Sequence, residues 1–205
     1  MITFFNYFVK ITGFLPYILM FRTKIKYEDK KKQARHIKGK AIIMSNHTSV
    51  YDYIPLLFTF FFRTLRVQMA EVLYKKKLLA LFLKMMGGIY VNRHSYDFSF
   101  IKKSEKILAK GGVVAIYPES RIPKKEETRP LEFKESITRL ALESDTLVIP
   151  IYTNGSYFKK ARARIIIGTP INVKDYYDHS KSEKENIASI TTILRNKIIE
   201  LGKLL

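Results

Sequence analysis

Apolar and polar positions fall in blocks along this chain, and the block lengths predict strands alternating with helices. Ala41–Ser45 is a continuous apolar run of strand length and reads as a buried strand. Val113–Tyr117, Leu147–Tyr152 and Arg164–Gly168 read the same way. Arg66–Ala70 and Ile89–Val91 are shorter β-rich stretches, and an edge strand is expected at Thr23–Tyr27. Helical spacing runs through Lys75–Met86, with Leu78, Leu79, Phe82, Leu83 and Met86 on one face and Gly87-Gly88 as its stop. Phe98–Lys110 carries Phe100, Ile101, Ile107 and Leu108 on one face and ends at Gly111-Gly112. Further helices are predicted at Glu135–Glu143, at Ser182–Leu201, and from Thr48 or Ser49 through Phe62. Residues 1–21 read as one or two short helices broken near Gly13 or Pro16. Strands alternating with helices predict an α/β fold, a single-domain sandwich with a mixed, mostly parallel sheet covered by helices. There is no internal repeat and no low-complexity linker.

Charge changes this picture at the N-terminus. The 205 residues carry 37 Lys and Arg against 18 Asp and Glu, a formal +19, which favours polyanionic partners, either nucleic acid or an anionic lipid surface. Its distribution favours lipid. Met1–Phe21 has Lys10 as its only side-chain charge and contains five Phe and two Tyr, whereas positions 22–40 hold nine basic and two acidic residues. An apolar aromatic segment followed by a polybasic one is the pattern of a membrane-surface anchor. Lys10, Asn6 and Pro16 interrupt the segment, so lying on the membrane is expected rather than spanning it. The alternative is a helix packed on the domain itself. The expected organisation is a membrane-associating segment over residues 1–22 and a domain over 23–205, peripheral or monotopic at the cytoplasmic face.

Composition also closes some chemistry. There is no Cys, so disulfides, thiolate metal sites and Cys nucleophiles are excluded. His36, His47, His94 and His179 lack zinc-type spacing, and no metal or other cofactor is expected. No Gly-x-Ser-x-Gly elbow accompanies Ser49 or Ser120, which argues against a serine nucleophile. No helix-turn-helix, zinc-finger or RNA-recognition signature is present, and no nucleic-acid partner is expected.

What remains is a set of four segments at the predicted strand ends. They are Asn46-His47 with Asp52 five positions after the His; Gly88 to Arg93; Tyr117-Pro118-Glu119-Ser120-Arg121; and Val148-Ile149-Pro150-Ile151. Sites in α/β sheets collect beyond the carboxyl ends of strands, so the first three can converge. His47 with Asp52 supplies a base and the group that orients it. Arg93 and Arg121 supply forked donors suited to a phosphate. Glu119 is a candidate for holding substrate hydroxyls or an Arg, and Asn46 for capping the following helix or contacting substrate. Lys159, Lys160, Arg162 and Arg164 form a second basic patch, suited to lipid headgroups or to a solvated edge.

In this order the four segments resemble the motifs of the glycerolipid acyltransferase family that includes 1-acylglycerol-3-phosphate acyltransferase. Asn46, His47 and Asp52 match its Asn-His-x-x-x-x-Asp. Gly88, Tyr90, Val91, Asn92 and Arg93 approximate its second motif, and Tyr117, Pro118, Glu119, Ser120 and Arg121 its third. Ile149-Pro150-Ile151 matches the fourth. The resemblance covers roughly residues 40–170. It implies acyl transfer from acyl-CoA or acyl-carrier protein to a lysophospholipid, most simply 1-acylglycerol 3-phosphate, yielding phosphatidic acid. It implies His47 and Asp52 as catalytic, and Asn46, Arg93, Glu119, Ser120 and Arg121 as substrate-binding. Three positions depart from the pattern: Asn92 stands for the usual Asp, Ser120 for Gly, and Glu71 for a Lys that often follows the first motif, with Lys75, Lys76 and Lys77 nearby. A related enzyme with another acceptor, a relative with lost or altered activity, and a basic nucleic-acid-binding module are the alternatives.

Overall fold

The computed structural model describes residues 1–93, 98–158 and 162–205; His94, Lys159 and Lys160 of the sequence reading lie outside them. Seven strands form one sheet: β1 (Lys24–Tyr27), β2 (Ala41–Ser45), β3 (Leu65–Ala70), β4 (Ile89–Val91), β5 (Val113–Ile116), β6 (Val148–Thr153) and β7 (Arg164–Ile167). Their order is β1-β7-β6-β2-β5-β3-β4, and every pairing is parallel except β6 with β7. The α/β fold with a mixed, mostly parallel sheet is as the block pattern predicts. Central β2 is buried along its whole length: Ile42 and Met44 join the core on one face and Ala41 and Ile43 the core on the other. That two-sided burial is why the run is apolar throughout rather than alternating.

The helices are α1 (Ile2–Phe21), α2 (Tyr53–Thr59), α3 (Lys77–Met86), α4 (Ser99–Ala109), α5 (Ser136–Glu143) and α6 (Glu183–Lys203). α6 opens on a capping box: the Ser182 hydroxyl accepts from Glu185 N–H while the Glu185 carboxylate accepts from Ser182 N–H, a device worth about 1 kcal/mol. Its Ile187, Ile190, Leu194, Ile198 and Leu201 then fall at helical spacing on the buried face. Gly87, with φ +81, closes α3 in the left-handed conformation.

Two expectations are corrected. First, residues 48–52 are not helical; α2 begins at Tyr53 and spans seven residues. The Asp52 carboxylate turns back to accept the N–H groups of Thr48 and Ser49, which bends this stretch into a loop and takes up donors that a helix start would leave open. Second, α1 is one continuous helix through Pro16. Docking on both sides of the proline holds it together. Asn6 donates to the Met86 carbonyl, Lys10 donates to the carbonyls of Phe60, Phe61 and Arg63, and Tyr17 stacks on Phe58 with ring centroids 4.1 Å apart.

Lys10 explains why this helix sits where it does. A short helix leaves its last carbonyls without partners, and cations are favoured there. Arg35 donates to the Phe58 and Thr59 carbonyls, and the Lys10 ammonium takes the next ones. Lys10 is 1% exposed, and burial lowers its pKa to about 8. The outward side of α1 carries Phe4, Phe8, Ile11, Leu15 and Leu19, with Phe4 76% exposed. The helix therefore turns Asn6 and Lys10 inward together with Phe5, Val9, Tyr17 and Phe21, and leaves a second apolar face outward where a soluble amphipathic helix is polar.

Candidate active site

Because β2, β5, β3 and β4 run parallel, their carboxyl ends share one edge of the sheet, and β6 ends there beside β2. The first polar segment leaves β2, the third leaves β5 and the second leaves β4. This is the convergence expected of strand-end motifs.

His47 Nδ1 lies 2.8 Å from Asp52 Oδ2. Facing a carboxylate, Nδ1 keeps its proton, and the ring's lone pair is left on Nε2. Among the described residues none hydrogen-bonds Nε2, and His47 borders a polar cavity with Asn46, Thr48, Glu119, Arg129 and Asn154. Its ring stacks on Tyr117, centroids 4.5 Å apart. The Asp52 side chain is buried to 1% exposure while that of His47 retains 21%. Burial is satisfied by five partners: His47 Nδ1, Thr48 N (2.6 Å), Ser49 N (2.9 Å), the Thr48 hydroxyl (2.7 Å) and the Tyr157 hydroxyl (2.8 Å). A carboxylate held this way is fixed in direction.

Asn46 and Glu119 tie the strand ends together. The Asn46 amide donates to the Thr153 carbonyl (2.9 Å) and accepts from Thr153 N–H (2.8 Å), extending the β2–β6 pairing by a side chain; it does not cap α2. Glu119 accepts from His47 N–H (2.7 Å) and Leu131 N–H (2.8 Å). Burial raises its pKa above the usual carboxylate range, although both N–H bonds pull the other way. Its described bonds are to backbone rather than to an Arg, so it anchors the third segment to the first.

The two arginines are each held by a carboxylate. Arg93 Nε and Nη2 fork onto Glu71 (3.1 and 2.9 Å), and its Nη1 donates to the Ser120 carbonyl (3.1 Å). The forked bonds to Arg93 hold Glu71 at a pKa of about 2. Glu71, at the position noted as lacking Lys, thus neutralises the arginine of the second segment. Arg121 forks onto Glu127 (2.7 and 2.6 Å) at the surface. Ser120 adopts φ +62, a left-handed conformation that favours Gly and costs other residues roughly 1–2 kcal/mol. The Gly of the family motif is thereby accounted for by backbone conformation.

Sequence reasoning missed Thr48, Thr153, Tyr157 and Arg129. Thr153 is the last residue of β6 and Tyr157 lies four residues after it, so the strand-end rule was the signal available; Arg129 gave none. Among the described residues no three His, Asp or Glu side chains gather to hold a metal ion.

With this geometry in view, the comparisons with known proteins are specific. The family model described as Acyltransferase matches residues 24–154, which includes the first three segments and the Ile149-Pro150-Ile151 strand. The chain belongs to the acyltransferase family. This acyltransferase is 30% identical over 175 residues to a 1-acyl-sn-glycerol-3-phosphate acyltransferase of Borreliella burgdorferi, covering 80% of this chain and 66% of the relative. It is 29% identical over 164 residues to a protein of the same name from Bacillus subtilis, covering 78% of this chain and 80% of that one. The acyltransferase shares its fold with the crystal structure of the 1-acyl-sn-glycerophosphate acyltransferase of Thermotoga maritima, at a TM-score of 0.65 and 16% identity over 98% of this chain and 95% of the other. An enzyme of this family, rather than a basic binding module, is what the sequence encodes.

Proposed function

We propose that this acyltransferase moves a fatty acyl group from an acyl thioester, acyl-CoA or acyl-carrier protein, to the free hydroxyl of 1-acylglycerol 3-phosphate, making phosphatidic acid. The observation that carries this reading is the buried, fully bonded Asp52 at 2.8 Å from His47 Nδ1, with Nε2 left for substrate. In this mechanism Nε2 takes the proton of the acceptor hydroxyl as its oxygen attacks the thioester carbonyl. Asp52 stabilises the imidazolium. The C–S bond then breaks, the thiolate takes the proton from His47, and an oxygen ester and a free thiol result. The acceptor is itself the nucleophile, so no acyl-enzyme is required.

The test is turnover of labelled acyl-CoA and acyl-carrier protein against a panel of lysophospholipids. Preference for 1-acylglycerol 3-phosphate supports the reading; no ester product with any acceptor overturns it. One observation favours a second acceptor class lacking a free phosphomonoester: Glu71 and Glu127 already occupy Arg93 and Arg121. If Arg121 leaves Glu127 to bind the acceptor's phosphate, Arg121→Ala should raise the acceptor KM about tenfold, as expected for a charge-assisted hydrogen bond. Lys at 121 should restore it only partly. An unchanged acceptor KM moves Arg121 out of the acceptor site.

We further read α1 as the membrane-contacting segment, on the cytoplasmic face, of a protein lying on the bilayer. It is long and apolar enough to cross a membrane by length and composition, but Asn6 and Lys10 are spent on the domain. Its exposed Phe and Leu side chains, with exposed Leu78 and Leu81 of α3, suit insertion beside a polybasic stretch. The protein should sediment with anionic vesicles, less with neutral ones, and less again at high salt. Salt-independent binding to both kinds would remove the electrostatic part of this reading.

A further inference from the structure

Asp52 carries more hydrogen bonds than orienting one imidazole requires, and one of them comes from far away in sequence. Oδ2 receives His47 and the N–H groups of Thr48 and Ser49. Oδ1 receives the Thr48 hydroxyl and, at 2.8 Å, the phenol of Tyr157. The loop after β6 folds back to bring this phenol in. Gly155 has φ +64, and a β-carbon there would collide with the Thr48 hydroxyl, so the turn needs glycine. Thr153 Oγ1 lies 2.8 Å from the Tyr157 oxygen. Burial and the Asp52 charge both push the phenol's pKa up, which keeps it a donor.

The ring of Tyr157 rests on α1. Phe21, the last residue of α1, lies 5.5 Å from it between centroids, in a small cluster with Ala163, Tyr17 and Ile54. A line of contacts thus runs from α1 through Phe21, Tyr157 and Asp52 to His47. Phe21 and Tyr157 both lie outside residues 24–154 matched by the family model.

We propose that Tyr157 is a positioning residue for acyl transfer: braced by Phe21, its phenol fixes Asp52 and, through it, the orientation and basicity of His47. The inference rests on the reading of His47 as the base. A donor on Oδ1 draws negative charge away from the side of Asp52 that faces the imidazole. Without it, Asp52 stabilises the imidazolium more strongly and is held less firmly in direction. The other groups facing this pair are Glu119 and Tyr117 from the β5 end, Tyr53 from α2, and Arg129 across the cavity. None of them changes in the test.

The experiment uses the full chain in detergent micelles, with ¹⁵N-labelled histidine and His47 assigned from its loss in His47→Gln. Tyr157→Phe keeps the ring on Phe21 and removes the hydroxyl. It should raise the His47 pKa by roughly half to one unit and move the acid limb of the kcat/KM profile up equally. It should lower kcat about tenfold, with KM for both substrates unchanged. Site-specific 3-fluorotyrosine at 157, a stronger donor of nearly the same shape, should shift the His47 pKa downward. A lower unfolding midpoint with an unmoved pKa and pH profile would make Tyr157 merely structural and overturn the proposal. If Tyr157→Phe does not fold, the fluorotyrosine protein decides, and an unmoved pKa there overturns it equally. Absence of acyl transfer in the unaltered protein would overturn the proposed function, while the imidazole shift would still decide the role of Tyr157.

Discussion

Replacing His47 by alanine is expected to lower acyl transfer by on the order of 10²–10⁴-fold, the usual cost of losing a positioned base. The fold should survive, because it is the backbone N–H of His47, not the ring, that Glu119 holds. Asp52→Asn is expected to fall between wild type and His47→Ala. The N–H groups of Thr48 and Ser49 point at the Oδ2 position and require an oxygen there. The new amide nitrogen must therefore sit at the Oδ1 position, beside two hydroxyls that can turn to accept from it. The imidazole tautomer is kept, and what is lost is the charge that stabilises the imidazolium. Single-turnover rates with circular dichroism on each variant check both statements. Undiminished turnover in folded His47→Ala would remove this histidine from the mechanism.

The second large effect is expected at the N-terminus. An anchor that only delivers the cleft to the membrane could be deleted without harm to activity on detergent-dispersed acceptor. The structure argues otherwise. Removing residues 1–21 would strip the donor from the carbonyls of Phe60, Phe61 and Arg63. It would uncover the cluster of Leu57, Phe58 and Met86 and take Phe21 from Tyr157. The truncated protein should aggregate, or remain soluble with little activity on vesicles or on dispersed acceptor. Lys10→Met isolates one part of this: stability should fall by about 1–3 kcal/mol, the cost of leaving buried acceptors unpaired, measured by chemical denaturation. A soluble truncated protein with full activity in detergent would return α1 to the status of a detachable anchor.

The elements legible in the sequence were those whose pattern is set by burial on both sides of the sheet or by a local stop signal. The apolar runs of β2, β5, β6 and β7 were read to within a residue or two of their ends. So were α3 and α4, which carry their own glycine stops. Two local rules failed where side chains outside the element intervened. A Thr or Ser before an apolar run is a sound helix start, but here the Asp52 carboxylate claimed the N–H groups that would have opened it. A proline inside a helix is a sound break, but Pro16 sits between two docking points, Lys10 and Tyr17, and α1 is continuous across it.

The sequence by itself determined the mostly parallel α/β plan and singled out His47 and Asp52, which the structure brings to 2.8 Å and which we propose as the acid–base pair. Burial on both faces leaves an unbroken apolar run, and an Asn-His-x-x-x-x-Asp segment at a strand end keeps its spacing whatever the rest of the chain does. Only the tertiary structure decided what the remaining polar residues do. Glu71 and Arg93 are 22 residues apart and Asp52 and Tyr157 are 105 apart; no periodicity links them. Their pairings exist because parallel strands bring distant loops to one edge. Once there, the buried Asp52 carboxylate is met by donors from separate loops, because leaving a buried charge unpaired costs more than a local preference can supply. The same requirement orients α1: the carbonyls of Phe60, Phe61 and Arg63 take the Lys10 ammonium and that of Met86 takes Asn6, and Phe4, Phe8, Ile11, Leu15 and Leu19 are left facing outward.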